Sequence, residues 1–260
     1  MPGTSRARLN PASHPHARPK VILLAGFPNS GTTIAAYILG QHPKVFASGE
    51  LTQFPGRQLK PSKVCSCGQP AMQCPFWCEV LDRLGDLRHA ADAVKMPALY
   101  RIICDVSGAD VVVDVAHDLR AVRAARALPG IDLRLVHLSR PALAVLRSRL
   151  ALNCRQGDVK PYTLTYAWRA LNHTRRLHIY EWVLGWCVRA EGTQQAMRAS
   201  YEELCNEPAS PLAQIGHITG LDFSDVVNRL QAGAPLEVPT HMIRGNARLR
   251  SEASVHLAAR

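Results

Sequence analysis

Gly26, Gly31, Ser30, Thr32 and Thr33 stand at the spacing of a loop that can cradle phosphate. The run Val21-Ile22-Leu23-Leu24-Ala25 precedes them, and Ile34 to Leu39 follows as a helix. Strand, tight loop and helix start form an anion site. Unpaired N–H groups at the helix N-terminus face the ligand, and the helix dipole favours negative charge there. The glycines let the backbone approach, and the hydroxyls add donors. Against the Walker A pattern, Gly26, Gly31 and Thr33 fit, but Thr32 stands where the lysine should be. That argues against an ordinary ATPase or kinase and leaves single-phosphate binding open. A plain βα turn of small residues is the lesser reading, because strand, spaced glycines, hydroxyls and helix all occur in order.

Other residues could act beside this loop. Glu50 follows the short apolar segment Val45 to Ala47 and would end near the phosphate loop in an α/β sheet. A carboxylate there can serve as general base. It can equally be a surface acid, and the residues alone leave both open. Arg140 ends the strand Leu133 to Ser139, where a guanidinium can bind phosphate bidentately. Ser148 reaches the same anion only if the helix after Pro141 passes beside it. Cys65, Cys67, Cys74 and Cys78 pair as C-x-C and C-x-x-x-C and could bind zinc. Those spacings are not the usual C-x-x-C knuckles. The expectation is a thiol-bearing segment with Phe76 and Trp77 packed inward and no metal.

The elements that must position these residues are legible in outline. Val111-Val112-Val113-Asp114 is a continuous apolar run of the buried parallel type. Helices are expected over Leu81 to Met96, Leu119 to Leu128, Pro141 to Leu150, Tyr162 to Leu184 and Leu212 to Thr219. Trp168 and Trp182 are expected in the core or beside an acceptor. Ala196 to Leu204 reads as a strand entering a helix. The fold class is α/β, with a central, mostly parallel sheet flanked by helices.

At 260 residues the chain suits one domain over 20–260, with a Cys-rich insertion around 63–80 and a basic tail over 1–19. The formal net charge of +11 suits an anionic partner. The arginines are spread through helical stretches such as Arg120, Arg123 and Arg126, without the aromatic interleaving of a single-strand binder, so no nucleic acid is expected. No apolar run reaches the ~20 residues of a membrane span, and no signal-peptide core is present. A cytoplasmic protein is expected.

Pro28-Asn29-Ser30-Gly31-Thr32-Thr33 resembles the 5′-phosphosulfate loop of sulfotransferases that use 3′-phosphoadenosine-5′-phosphosulfate (PAPS). The resemblance extends over about residues 20 to 250 and implies a P-loop-like three-layer fold. In that family Lys or Arg usually precedes Ser-Gly-Thr, so Asn29 departs in charge. A His-Pro leading to a Gly-Glu, here His42-Pro43 and Gly49-Glu50, resembles the segment whose Glu is the base of the tyrosylprotein type. His117 stands where many bacterial members have Lys and where the cytosolic branch has a nearby catalytic His. It is the second base candidate, with a helix N-terminal histidine as the alternative. Arg140 and Ser148 match the 3′-phosphate segment by spacing, though Pro141-Ala142-Leu143 replaces its usual Asp-Pro-Arg. Tyr201 resembles the Tyr near the adenine, and a packed Tyr is the alternative. Arg244, Gly245 and Asn246 resemble a late loop that covers the nucleotide.

The resemblance therefore implies transfer of a sulfonyl group from PAPS to a hydroxyl or amine of a small-molecule, sugar or peptide acceptor. Glu50, or else His117, would take the proton. Two other classes stay open. A small-molecule kinase would need Asp114 as its magnesium ligand. A binding protein would hold 3′,5′-diphosphoadenosine without catalysis.

Overall fold

In the computed structural model, five strands form one parallel sheet in the order β2-β3-β1-β4-β5. The structure describes residues 18–51, 54–56, 59–60, 63–155, 163–243, 245 and 254–257. The basic tail, except Arg18 and Pro19, lies outside them. The strands are β1 (Lys20–Ala25), β2 (Val45–Gly49), β3 (Val111–Ala116), β4 (Asp132–Ser139) and β5 (Ala196–Ser200). All of β3, and all of β1 after Lys20, is buried. An unbroken apolar run folds this way because a parallel strand is covered on both faces.

Alternation along β1 divides the core. Ile22 and Leu24 pack with α1 (Thr32–Leu39), α8 (Ala209–Thr219) and α9 (Ser224–Gln231). Leu23 and Ala25 pack with α4 (Leu119–Arg126) and α6 (Leu164–Glu191) on the opposite face. Beside that second cluster, Val21, Phe46 and Val112 pack with α2 (Pro75–Leu84) and α3 (Asp92–Ser107). Helices thus cover both faces of the sheet, giving three layers. The remaining helices are α5 (Ala142–Arg155) and α7 (Tyr201–Asn206), and β6 (Leu236–Glu237) pairs antiparallel with β7 (Ser254–Val255).

Four expectations change. The helix expected over Leu81 to Met96 is two helices. Gly85, at a φ of 50°, stops α2, a 3-10 turn follows, and α3 starts afresh at Asp92. The apparent periodicity leaned on Leu87 and Val94, which end up exposed. α5 runs to Arg155, and α6 is longer than expected and ends at Glu191. Trp168 and Trp182 are 63% and 71% exposed rather than in the core, because α6 buries the face of Leu177, Tyr180, Leu184 and Cys187. Among the described residues no helix is long and apolar enough to cross a membrane.

Candidate active site

The carboxyl ends of all five parallel strands open on one edge, where a ligand crevice forms in such sheets. The loop after β1 is turned by Ser30 N–H donating to Phe27 O at 2.9 Å. Asn29 and Gly31 both adopt left-handed backbone, at φ of 75° and 99°. Gly31 has a second constraint: a Cβ there would lie 2.1 Å from Tyr201 Cδ2. α1 starts with no side-chain cap and no acid in its first turn, and its dipole favours an anion at that end. Thr32 and Thr33 stand at that end. Ser30 is fully buried, and its hydroxyl packs where a Cβ on Gly26 would be, 2.5 Å away. Among the described residues its Oγ has no hydrogen-bond partner.

Arg140 follows β4 and joins three segments. Its Nε donates to Glu202 Oε1 at 3.2 Å, its Nη1 donates to Asn29 O at 3.3 Å, and its guanidinium lies 4.4 Å from the Tyr201 ring centroid. Nη2 makes no hydrogen bond to the described residues. Ser148, on α5, accepts from Asn29 Nδ2 at 3.4 Å. The helix therefore does pass beside the loop. Its next residue, Arg149, donates to Asn29 Oδ1 at 3.4 Å. A guanidinium thus stands at the loop although Asn29 itself carries no charge.

Glu50 follows β2 and His117 follows β3, and the two meet. Glu50 Oε1 is 3.6 Å from His117 Nε2. His117 Nδ1 lies 2.8 Å from Gly26 O, a carbonyl, so Nδ1 must carry a hydrogen. Nε2 is therefore the nitrogen that gains or loses a proton, and it faces both Glu50 and the Thr32 hydroxyl at 3.4 Å. Neighbouring groups fix the backbone around Glu50. Leu51 N–H donates to Asp114 Oδ1 at 2.9 Å, and Glu50 N–H donates to Ile243 O at 3.3 Å.

Asp114 is buried. Burial pushes its carboxyl up to about 6, with the Glu50 charge adding to the rise, while hydrogen bonds from Tyr100 and Leu51 oppose it. Tyr100 Oη donates to Oδ2 at 2.6 Å, so both carboxylate oxygens are engaged. Asp114 does not offer the open carboxylate that the kinase reading requires.

Gly245 reaches the phosphate loop: a Cβ there would lie 3.6 Å from Thr33 Oγ1. Arg244 and Asn246 lie outside the described residues. Of the four cysteines considered together, Cys65, Cys67 and Cys74 do converge, but Cys78 does not. Its Sγ donates to Met72 O at 3.3 Å, and His241 takes the fourth place in the cluster.

The sequence matches the model of the sulfotransferase family over residues 19–225. The chain belongs to the sulfotransferase family. Among solved structures it is similar to the sulfotransferase domain from the curacin biosynthetic pathway, at 18% identity and a TM-score of 0.54, over 92% of this chain and 84% of that one. The sulfotransferase domain of the Synechococcus PCC 7002 olefin synthase is similar at 18% identity and a TM-score of 0.54, over 92% and 86%. At such identity these two speak for the fold. No curated protein sequence matches the chain.

In this sulfotransferase the matched region holds the five sheet strands, Glu50, His117, Arg140, Ser148 and Tyr201, and stops before His241 and Gly245. Sequence reasoning missed three residues of the site. Arg149 had a signal, since it follows a suspected ligand on a helix, but its reach to Asn29 is a matter of packing. Tyr100 had none. His241 was read as part of the late segment that resembles a nucleotide-covering loop, not as a neighbour of the cysteines.

Proposed function

We propose that this sulfotransferase transfers a sulfonyl group from PAPS to a hydroxyl or amine of an acceptor. The observation that carries the proposal is the meeting of Glu50 and His117, 3.6 Å apart, beside Thr32 at the uncapped start of α1. It puts a proton acceptor next to an anion cradle. The residues fit the nucleotide. The N-terminal end of α1 with Thr32, Thr33 and Arg149 would hold its 5′ end. Arg140 through Nη2, with Ser148, would hold the 3′-phosphate. The Tyr201 ring, already stacked with Arg140, would lie by the base. Gly245 would close over Thr33, and Pro28 and Asn29 would shape the loop.

The donor supplies a sulfonyl group whose bond to the 5′-phosphate oxygen breaks as the acceptor oxygen or nitrogen bonds to sulfur. Glu50 takes the acceptor proton. His117 Nε2, between Glu50 and Thr32, can take the proton on from Glu50, and once it carries that hydrogen it donates to the carboxylate. Dipole and hydroxyl donors at α1 stabilise the charge that grows on the transferred group, as preorganised donors do in acyl transfer.

The test is a mass-spectrometric screen of acceptors incubated with the full chain and PAPS. Sulfonated product is expected, along with 3′,5′-diphosphoadenosine. Arg140→Ala should weaken 3′,5′-diphosphoadenosine binding by ~1.5–3 kcal/mol, the worth of a charged hydrogen bond, and adenosine-5′-phosphate much less. Equal weakening of both would remove Arg140 from the 3′ site. Magnesium-dependent ATP turnover would replace the proposal with the kinase reading.

A further inference from the structure

Three thiols and an imidazole meet where the Cys-rich insertion touches the late segment. One ligand atom each from Cys65, Cys67, Cys74 and His241 all lie within 4.8 Å of one another. Cys67 Sγ is 3.7 Å from Cys74 Sγ, and Cys74 Sγ is 3.2 Å from His241 Nδ1. A tetrahedral site with Zn–S bonds of about 2.3 Å has S···S edges of about 3.8 Å. A disulfide needs about 2.05 Å, far shorter than the Cys67–Cys74 gap. All three cysteines are free. We infer that Cys65, Cys67, Cys74 and His241 bind one zinc ion in a closed, structural Cys3His site.

The backbone is built to converge there. Cys65 and Cys67 sit on a tight turn, with Cys65 N–H donating to Gln69 O at 2.9 Å and Gly68 N–H donating to Cys65 O at 3.0 Å. Gly68 supplies the left-handed residue of that turn, at a φ of 86°. Cys74 caps the start of α2, where the helix dipole favours a thiolate. His241 is held at a φ of 64°, a conformation that a residue with a side chain seldom adopts. Trp77 Nε1 donates to its carbonyl at 2.7 Å, and its ring stacks on Phe76 with centroids 5.1 Å apart. Ser66, between the first two cysteines, sews the segments together. Its hydroxyl donates to Pro239 O at 2.6 Å and accepts from Met242 N–H at 2.8 Å. Thiolate and imidazole ligands select zinc over magnesium or calcium, and four protein ligands leave no open position for chemistry. Such an ion would anchor the segment whose Ile243 carbonyl accepts from Glu50 N–H and which leads on to Gly245 over Thr33.

The test begins with the full chain, purified without a metal-affinity tag and analysed by plasma mass spectrometry. About one zinc per chain is expected. Cys67→Ser and His241→Ala should lose it, and Cys78→Ser should keep it. A thiol footprint on the wild-type protein removes any dependence on folding of the variants. Cys65, Cys67 and Cys74 should resist alkylation until a chelator strips the metal, while Cys78 reacts equally with and without it. Cobalt in place of zinc should give thiolate charge-transfer bands and the intense visible bands of a tetrahedral site. Protein that stays metal-free after zinc is supplied, a Cys67–Cys74 disulfide in peptide maps, or metal loss in Cys78→Ser alone would each overturn the inference.

Discussion

Glu50 and His117 were alternatives in the sequence and are neighbours in the fold. The Nδ1 hydrogen on Gly26 O turns Nε2 toward Glu50, so a bare Nε2 can receive the proton from Glu50 and a protonated one can steady the carboxylate. Glu50→Gln keeps the shape and removes the basicity. Turnover should fall by ~10²–10⁴-fold, the usual worth of a general base, with nucleotide affinity nearly unchanged. His117→Ala should cost less. The reverse order in steady-state kinetics would make His117 the base. Arg149 supplies the charge that Asn29 lacks. Arg149→Ala should therefore weaken adenosine-5′-phosphate and 3′,5′-diphosphoadenosine alike, by ~1.5–3 kcal/mol. Calorimetry on both nucleotides separates this from the selective loss expected of Arg140→Ala.

The strand ends and the turns after them carry the site. Gly31 joins a left-handed backbone to close contact with Tyr201, so Gly31→Ala meets two penalties. Left-handed backbone costs an alanine ~1–2 kcal/mol, and the Tyr201 ring must also move. Nucleotide binding should drop, and adding Tyr201→Ala should restore part of the lost thermal stability. β3 brings a second device. Asp114 is raised from 3.8 to about 6, so the folded protein holds this proton more tightly than the unfolded chain. Its contribution to stability is present below about pH 4 and is lost as pH rises to about 6. The loss is on the order of 2–3 kcal/mol. Asp114→Asn should flatten that limb of the stability–pH curve. An unchanged curve in denaturant titrations at several pH values would mean that Asp114 ionises normally. The elements themselves were mostly legible, because apolar runs and capping residues are local signals. The broken helix near Gly85 was not, because Leu87 and Val94 keep helical spacing without being buried.

The formal net charge of +11 favours the approach of an anionic ligand. Long-range attraction of this kind is screened within ~10 Å at 0.1 M salt. Association of 3′,5′-diphosphoadenosine should therefore slow as salt rises, with dissociation changing less, in stopped-flow measurements. A salt-independent association rate would show that the basic residues do not steer the ligand. The three layers fit the match to the sulfotransferase family, and that match covers the region where strand ends deliver the crevice.

Contiguous residues alone determined the α/β class, the tight glycine loop between β1 and α1 and the placement of Glu50, His117 and Arg140 at strand ends. Those features depend on neighbours along the chain: an apolar run, a left-handed glycine, a helix start. Tertiary structure alone decided who meets whom. Arg149 reaches Asn29 across 120 positions, and His241 reaches Cys74 across 167. No local spacing encodes such contacts, since they exist only where separately folded segments are packed together to bury the core.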